Sequence, residues 1–157
     1  MRLTDILLTD HIVLPLSTEQ RDPAIKEMIE VLNKQGVINE SEQAYSAVLE
    51  REKLMTTGVG NGIAIPHCKD KSCPNFAVAL GIQPKGIKFE SIDKKDVKIV
   101  FLLVGPENNP GMHIKLLSRI SRLMSNEELR QNVLKCKDAQ KIRDLIDDEE
   151  NYYFDLD

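Results

Sequence analysis

The sequence predicts an α/β (α+β) domain of three layers, with helices packed on both faces of a central sheet, and three observations point there. Segments of helical and strand character alternate along the chain. The run Val97 to Val104 is almost wholly apolar and rich in β-branched residues, the pattern of a strand covered on both faces. No internal repeat or linker divides the 157 residues, which make one domain able to bury a core without staples.

Taken in order, Leu3 to Leu8 predicts a short helix and His11-Ile12-Val13-Leu14 a short strand stopped by Pro15. His11 has no chemical partner nearby in sequence and reads as structural or surface. Asp22-Pro23 predicts a helix start, with Asp as the cap and Pro in the first turn. Ile25, Met28, Ile29 and Leu32 then share one face, and Gly36 ends the helix. A second helix is expected from Asn39 or Ser41 to about Lys53, burying Ala44, Ala47, Val48 and Tyr45, with Arg51 in its last turn, where a cation suits the carbonyl end of the dipole.

Next comes Gly58-Val59-Gly60-Asn61-Gly62-Ile63-Ala64-Ile65-Pro66-His67, loop chemistry that turns into strand chemistry and ends on a histidine. The glycines permit positive φ and close approach, and Ile63 and Ile65 point to one face of the strand. Pro66 has no N–H and holds Ile65 extended, so His67 is presented at a strand exit. The segment is not a P-loop: it lacks the Gly-Lys-Ser/Thr ending and precedes a strand instead of opening a helix.

Phe76, Val78, Leu80 and Ile82 alternate as in a strand, Pro84-Lys85-Gly86 predicts a turn, and the 97–104 strand ends at Gly105-Pro106. A polar loop through Asn109-Pro110-Gly111 leads to a helix from about Met112 to Met124. Its inward face carries His113, Leu116, Leu117, Ile120, Leu123 and Met124, with Lys115, Ser118, Arg119 and Arg122 elsewhere. Asn126 caps a helix through Leu129, Val133 and Leu134, and Asp138 caps a last one carrying Ile142, Leu145 and Ile146. The domain is expected to span residues 1–150, followed by an acidic C-terminal tail at 151–157.

Composition narrows the function. With 41% hydrophobic and 29% charged residues and no tryptophan, the chain reads as soluble and globular. No apolar run reaches the length of a membrane span, and no signal-peptide pattern is present, so a cytoplasmic protein, not membrane-embedded, is expected. Net charge is −4, but six of the 25 acidic residues fall between Asp147 and Asp157, which leaves a near-neutral body with no nucleic-acid stripe. Cys68, Cys73 and Cys136 are three in number and fit a reducing compartment. The spacing of Cys68 and Cys73 beside His67 matches no common zinc pattern, so no metal or cofactor is expected.

The segments Leu49-Glu50-Arg51-Glu52, Gly58 to His67, Val100 to Val104 and His113-Ile114-Lys115-Leu116-Leu117-Ser118-Arg119-Ile120 occur in that order. Together they resemble the enzyme IIA domain of the fructose/mannitol type (type 2) in the phosphoenolpyruvate-dependent phosphotransferase system, including its nitrogen-regulatory branch. The resemblance covers nearly the whole chain, and it implies a mixed central sheet flanked by helices. It implies that His67 accepts a phosphoryl group on Nε2 from the carrier protein HPr, that His113 supports it in protonated form, and that Arg51 stabilises the phosphate. Thr57 stands in the Ser/Thr position before the first glycine and is expected to donate a hydrogen bond. Cys68 departs from the family, which usually has glycine there; it is expected to narrow the donor's approach or make the site redox-sensitive.

Phosphoryl transfer leaves the protein mainly to position reactants and stabilise negative charge, and transfer between two histidines needs no Mg²⁺ cage. Three roles follow. A regulatory IIA protein would use phospho-His67 as a switch toward target proteins, a transport IIA component would pass phosphate to a IIB domain for uptake of a sugar or polyol, and a degenerate domain would only bind partners. The absence of an attached IIB or IIC segment and the form Gly-Asn-Gly-Ile-Ala-Ile-Pro-His favour the first.

Overall fold

A computed structural model describes residues 1–154 and shows a mixed six-stranded sheet between two helical layers. The helices are α1 (Leu3–Ile6), α2 (Arg21–Lys34), α3 (Ser41–Leu54), α4 (Pro110–Met124), α5 (Glu127–Lys135) and α6 (Ala139–Phe154). The strands are β1 (Ile12–Val13), β2 (Gly58–Gly60), β3 (Ile63–Ala64), β4 (His67–Lys69), β5 (Ala77–Ile87) and β6 (Val97–Gly105). Strand order is β1-β5-β6-β3-β2, with β4 also on β6.

β6 is the centre of the sheet. It pairs antiparallel with β5 on one side and parallel with β3 and then β4 on the other. Its alternate residues feed two cores: Val100, Leu102 and Val104 pack with α2 and α3, while Ile99, Phe101 and Leu103 pack with α4, α5 and α6. The expected double burial is therefore present, and so is the mixed sheet. Ile25, Met28, Ile29 and Leu32 of α2 are fully buried, and Gly36, at φ +77°, follows the helix end.

Local chemistry explains several boundaries. Asn109 Oδ1 accepts from Met112 N at 3.2 Å with Pro110 in the first turn, so α4 starts two residues before the expected Met112. Asn126 caps α5 in the same way through Leu129 N. Asp22 is not a cap: α2 starts at Arg21, and Asp22 instead accepts from Arg21 Nε at 2.7 Å within the first turn.

Four further expectations are corrected. The first helix stops at Ile6, followed by a 3-10 turn at Thr9–His11. Pro84-Lys85-Gly86 does not reverse the chain; β5 runs through it with a register shift between Ile82 and Ile87, absorbed by Gly86 at φ +92°. Arg119 is not on an outer face but buried against Glu150, with Nη1 to Oε2 at 3.2 Å. Residues 151–154 of the expected tail form the last turn of α6, where the Arg119 guanidinium lies 4.2 Å from the Phe154 ring centre; residues 155–157 lie outside the described residues.

Glu150 is fully buried and joins three elements. It accepts hydrogen bonds from the Leu3 and Thr4 amides, the Thr4 hydroxyl and Arg119, pinning α1 and α6 to the helix that carries His113.

Candidate functional site

β2 and β3 form an antiparallel hairpin whose tip, Asn61-Gly62, has φ of +58° and +76°. Two consecutive positive φ values are what a tight hairpin turn needs to match strand twist, so the expected glycine loop is a hairpin instead. β3 then lies along β6 from Ile63 opposite Ile99, and β4 continues along the same edge from His67 opposite Leu103. Pro66 sits between them, where the ladder along β6 is interrupted: its carbonyl accepts from Leu103 N at 3.0 Å, but it has no N–H to donate back. Ile63 and Ile65 share the face toward α4, as expected from alternation, and His67 follows on that face.

The His67 ring is fixed by its own backbone. Nδ1 lies 2.8 Å from the Ile65 carbonyl oxygen. A carbonyl can only accept, so Nδ1 carries the proton and Nε2 keeps its lone pair. Burial pushes the imidazole below its usual pKa, opposed by the Ile65 hydrogen bond and reinforced by the charge of Arg51. The neutral, nucleophilic form is thereby favoured.

His113, in the first turn of α4, is 2% exposed, and its ring centre stands 5.5 Å from that of His67 and 6.2 Å from that of Phe76. Neither of its ring nitrogens has a hydrogen-bond partner among the described residues. Burial, with the charges of His67 and Lys69 adding to it, pushes its pKa down to about 4. In the free protein this favours the neutral His113 ring. It holds an unused N–H donor beside the His67 ring.

Arg51 reaches the same cleft from the end of α3, where its Nη1 donates to the Met55 carbonyl at 3.1 Å. The cleft measures about 460 Å³ and brings Arg51, His67, Lys69 and His113 together under an exposed apolar rim of Leu54 and Ile114. Thr57 is not among the lining residues. It is 4% exposed, its hydroxyl donates to Glu52 Oε1 at 2.5 Å, and its amide donates to Oε2 at 2.8 Å.

Glu52 was not singled out by the sequence. A carboxylate in the last turn of a helix runs against the dipole, and that placement was the available signal. By tying α3 to the start of β2, it fixes the backbone next to Arg51.

Cys68 alternates to the opposite face from His67. Its thiol packs beneath α3, 3.9 Å from the Ala44 carbonyl, and it is 4% exposed. Contact with the Cys73 thiol, together with burial, pushes the Cys68 thiol well above its ordinary pKa, so the inert thiol form dominates. His11 is structural: it is buried, with Nδ1 3.1 Å from the Val78 carbonyl oxygen.

Among the described residues no group of three or more His, Cys, Asp or Glu side chains could hold a metal ion, and no helix is long and apolar enough to cross a membrane.

The family model for the phosphoenolpyruvate-dependent sugar phosphotransferase system, EIIA 2, matches residues 5–149. The PTS system fructose-specific EIIABC component of Bacillus subtilis is 36% identical over 93% of this chain, and the chain spans 23% of that protein's length. A nitrogen regulatory protein of Bradyrhizobium diazoefficiens is 32% identical, over 93% of this chain and 95% of its own. The crystal structure of nitrogen regulatory protein IIA-Ntr from Neisseria meningitidis superposes with a TM-score of 0.85 at 26% identity, covering 91% of this chain and 97% of that one.

Proposed function

Because the chain belongs to the EIIA type 2 family of the phosphoenolpyruvate-dependent sugar phosphotransferase system, we propose that it is a cytoplasmic histidine phosphocarrier whose acceptor is Nε2 of His67. The observation that carries this reading is the 2.8 Å bond from His67 Nδ1 to the Ile65 carbonyl, which leaves Nε2 as the free nucleophile of a cation-lined cleft.

In the proposed step, an HPr-type donor docks over the apolar rim. Its phosphorus–nitrogen bond breaks as the bond from phosphorus to Nε2 forms in line, and the electron pair returns to the donor imidazole. Arg51 offsets the charge spread over the transferring oxygens. The unused N–H of His113 gains an acceptor in those oxygens, and their negative charge favours a second proton on its ring. The Glu52–Thr57 pair holds the α3 end in place during transfer.

The nitrogen-regulatory reading, in which phospho-His67 changes affinity for target proteins, is supported by a relative of matching length. A transport reading, in which phosphate passes to a IIB domain, is supported by the fructose-specific relative. Transfer to a IIB domain would establish the second; phosphorylation-dependent capture of a non-transport partner would establish the first.

The test is intact mass after incubation with phosphoenolpyruvate, enzyme I and HPr. One acid-labile phosphate, absent from His67→Ala, is expected. An unlabelled wild-type chain with active donors would leave only the partner-binding role.

A further inference from the structure

Lys69 stands two residues beyond His67 on β4, and the two-residue period of a strand directs both side chains to one face. Register agrees, with His67 opposite Leu103 and Lys69 opposite Gly105, while Cys68 between them points into the other core. Lys69 is exposed and lines the cleft together with Arg51.

The two cations are not equivalent. The charge of Arg51 is felt at His67, whereas that of Lys69 is felt at both His67 and His113. Arg51 already donates to the Met55 carbonyl. Lys69 makes no salt bridge among the described residues, although Lys53 on the neighbouring helix is paired with Glu50. A phosphoryl group near neutral pH carries about two negative charges, and Arg51 can match only one of them.

We propose that Lys69 is the second phosphoryl-binding cation of this cleft, contacting the phosphoryl oxygens on His67 from the strand as Arg51 does from the helix. The inference rests on the phosphocarrier reading and adds to it a residue that touches the transferred group. A point charge on a flexible stem suits this position, because the group arrives and leaves with each turnover while the imidazoles stay fixed.

The experiment uses two donors. Phosphoramidate phosphorylates an imidazole without a docking protein: its phosphorus–nitrogen bond breaks, ammonia leaves with the electron pair, and the bond to Nε2 forms. Phospho-HPr adds protein docking. Wild type, Lys69→Gln, Lys69→Arg and, as a surface-charge control, Lys71→Gln are followed by intact mass with each donor.

Lys69→Gln is expected to be labelled roughly tenfold more slowly than wild type by both donors. Lys69→Arg should retain most of the rate, and Lys71→Gln should match wild type. Equal rates for Lys69→Gln and wild type with phosphoramidate overturn the proposal. A defect with phospho-HPr alone also overturns it, since Lys69 would then serve docking. A wild-type chain labelled by neither donor refutes the phosphocarrier reading itself, and this inference with it.

Discussion

The Nδ1 of His67 is held 2.8 Å from the carbonyl oxygen of Ile65, across the single residue Pro66. This contact selects the tautomer, and Pro66 makes it geometrically available by keeping Ile65 extended next to a strand that resumes at His67. The ring nitrogen left without a proton is thus set by the backbone.

Acid should act on this site with a defined sign. Both His67 and His113 titrate below the ordinary value of 6.5, so on acidification the unfolded chain binds their protons first. Stability is expected to fall as pH drops from 6.5 toward about 4, the window set by His113, and to be insensitive to these groups above it. Urea unfolding across that range should show the loss, and His113→Leu, which removes one titration and two unpaired ring nitrogens, should flatten it. The same variant should accept phosphate about 10- to 100-fold more slowly at pH 7.5. A steep acid limb retained in His113→Leu would mean that another group drives it.

Thr57→Val separates support from chemistry. Loss of the hydroxyl leaves a Glu52 oxygen without its buried donor, so a cost of about 1–3 kcal/mol is expected in denaturant unfolding. Phosphate acceptance should stay within about twofold of wild type once the protein is folded, because the hydroxyl never faces the cleft. A large rate defect at full stability would return Thr57 to the site.

The three cysteines should differ in reactivity toward a thiol reagent such as dithionitrobenzoate. Cys68 and Cys73 are buried and Cys136 is half-buried. One thiol is expected to react quickly in the native protein and all three after unfolding, with phosphate acceptance unaffected by the first modification. Rapid loss of acceptance on modification would place a reactive thiol at His67.

Glu150→Ala tests the clamp between the two ends of the chain. It withdraws a buried carboxylate from Arg119 and from the Leu3 and Thr4 amides, for which about 3–5 kcal/mol of destabilisation is expected in urea unfolding. A midpoint equal to wild type would show that the network is replaced by water at no cost.

The central strand and the inward face of α2 were legible in the sequence because burial leaves its mark residue by residue, in Val97 to Val104 and in Ile25, Met28, Ile29 and Leu32. His67 was legible from Pro66 and the strand before it. The hairpin tip was also written locally, in Asn61-Gly62, but three alternating glycines made the segment read as loop. Pro84-Lys85-Gly86 carried turn chemistry that the sheet overrode, since β6 continues to offer β5 a partner beyond the irregularity. The Thr57–Glu52 pair and the charge state of His113 depend on contacts that no periodicity encodes. Lys69 was within reach of strand alternation, two places beyond the histidine. The end of α6 looked like an acidic tail because the ring of Phe154 on Arg119 and that of Tyr153 on Arg122 are long-range contacts.

The most direct test of the account is the site of the phosphorus–nitrogen bond. Phosphorylated protein with 15N-labelled histidines should show, by NMR, coupling between phosphorus and Nε2 of His67, with Nδ1 of the same ring still protonated and His113 unmodified. Coupling to His67 Nδ1, or to either nitrogen of His113, would contradict the claim that the Ile65 carbonyl chooses the nucleophile.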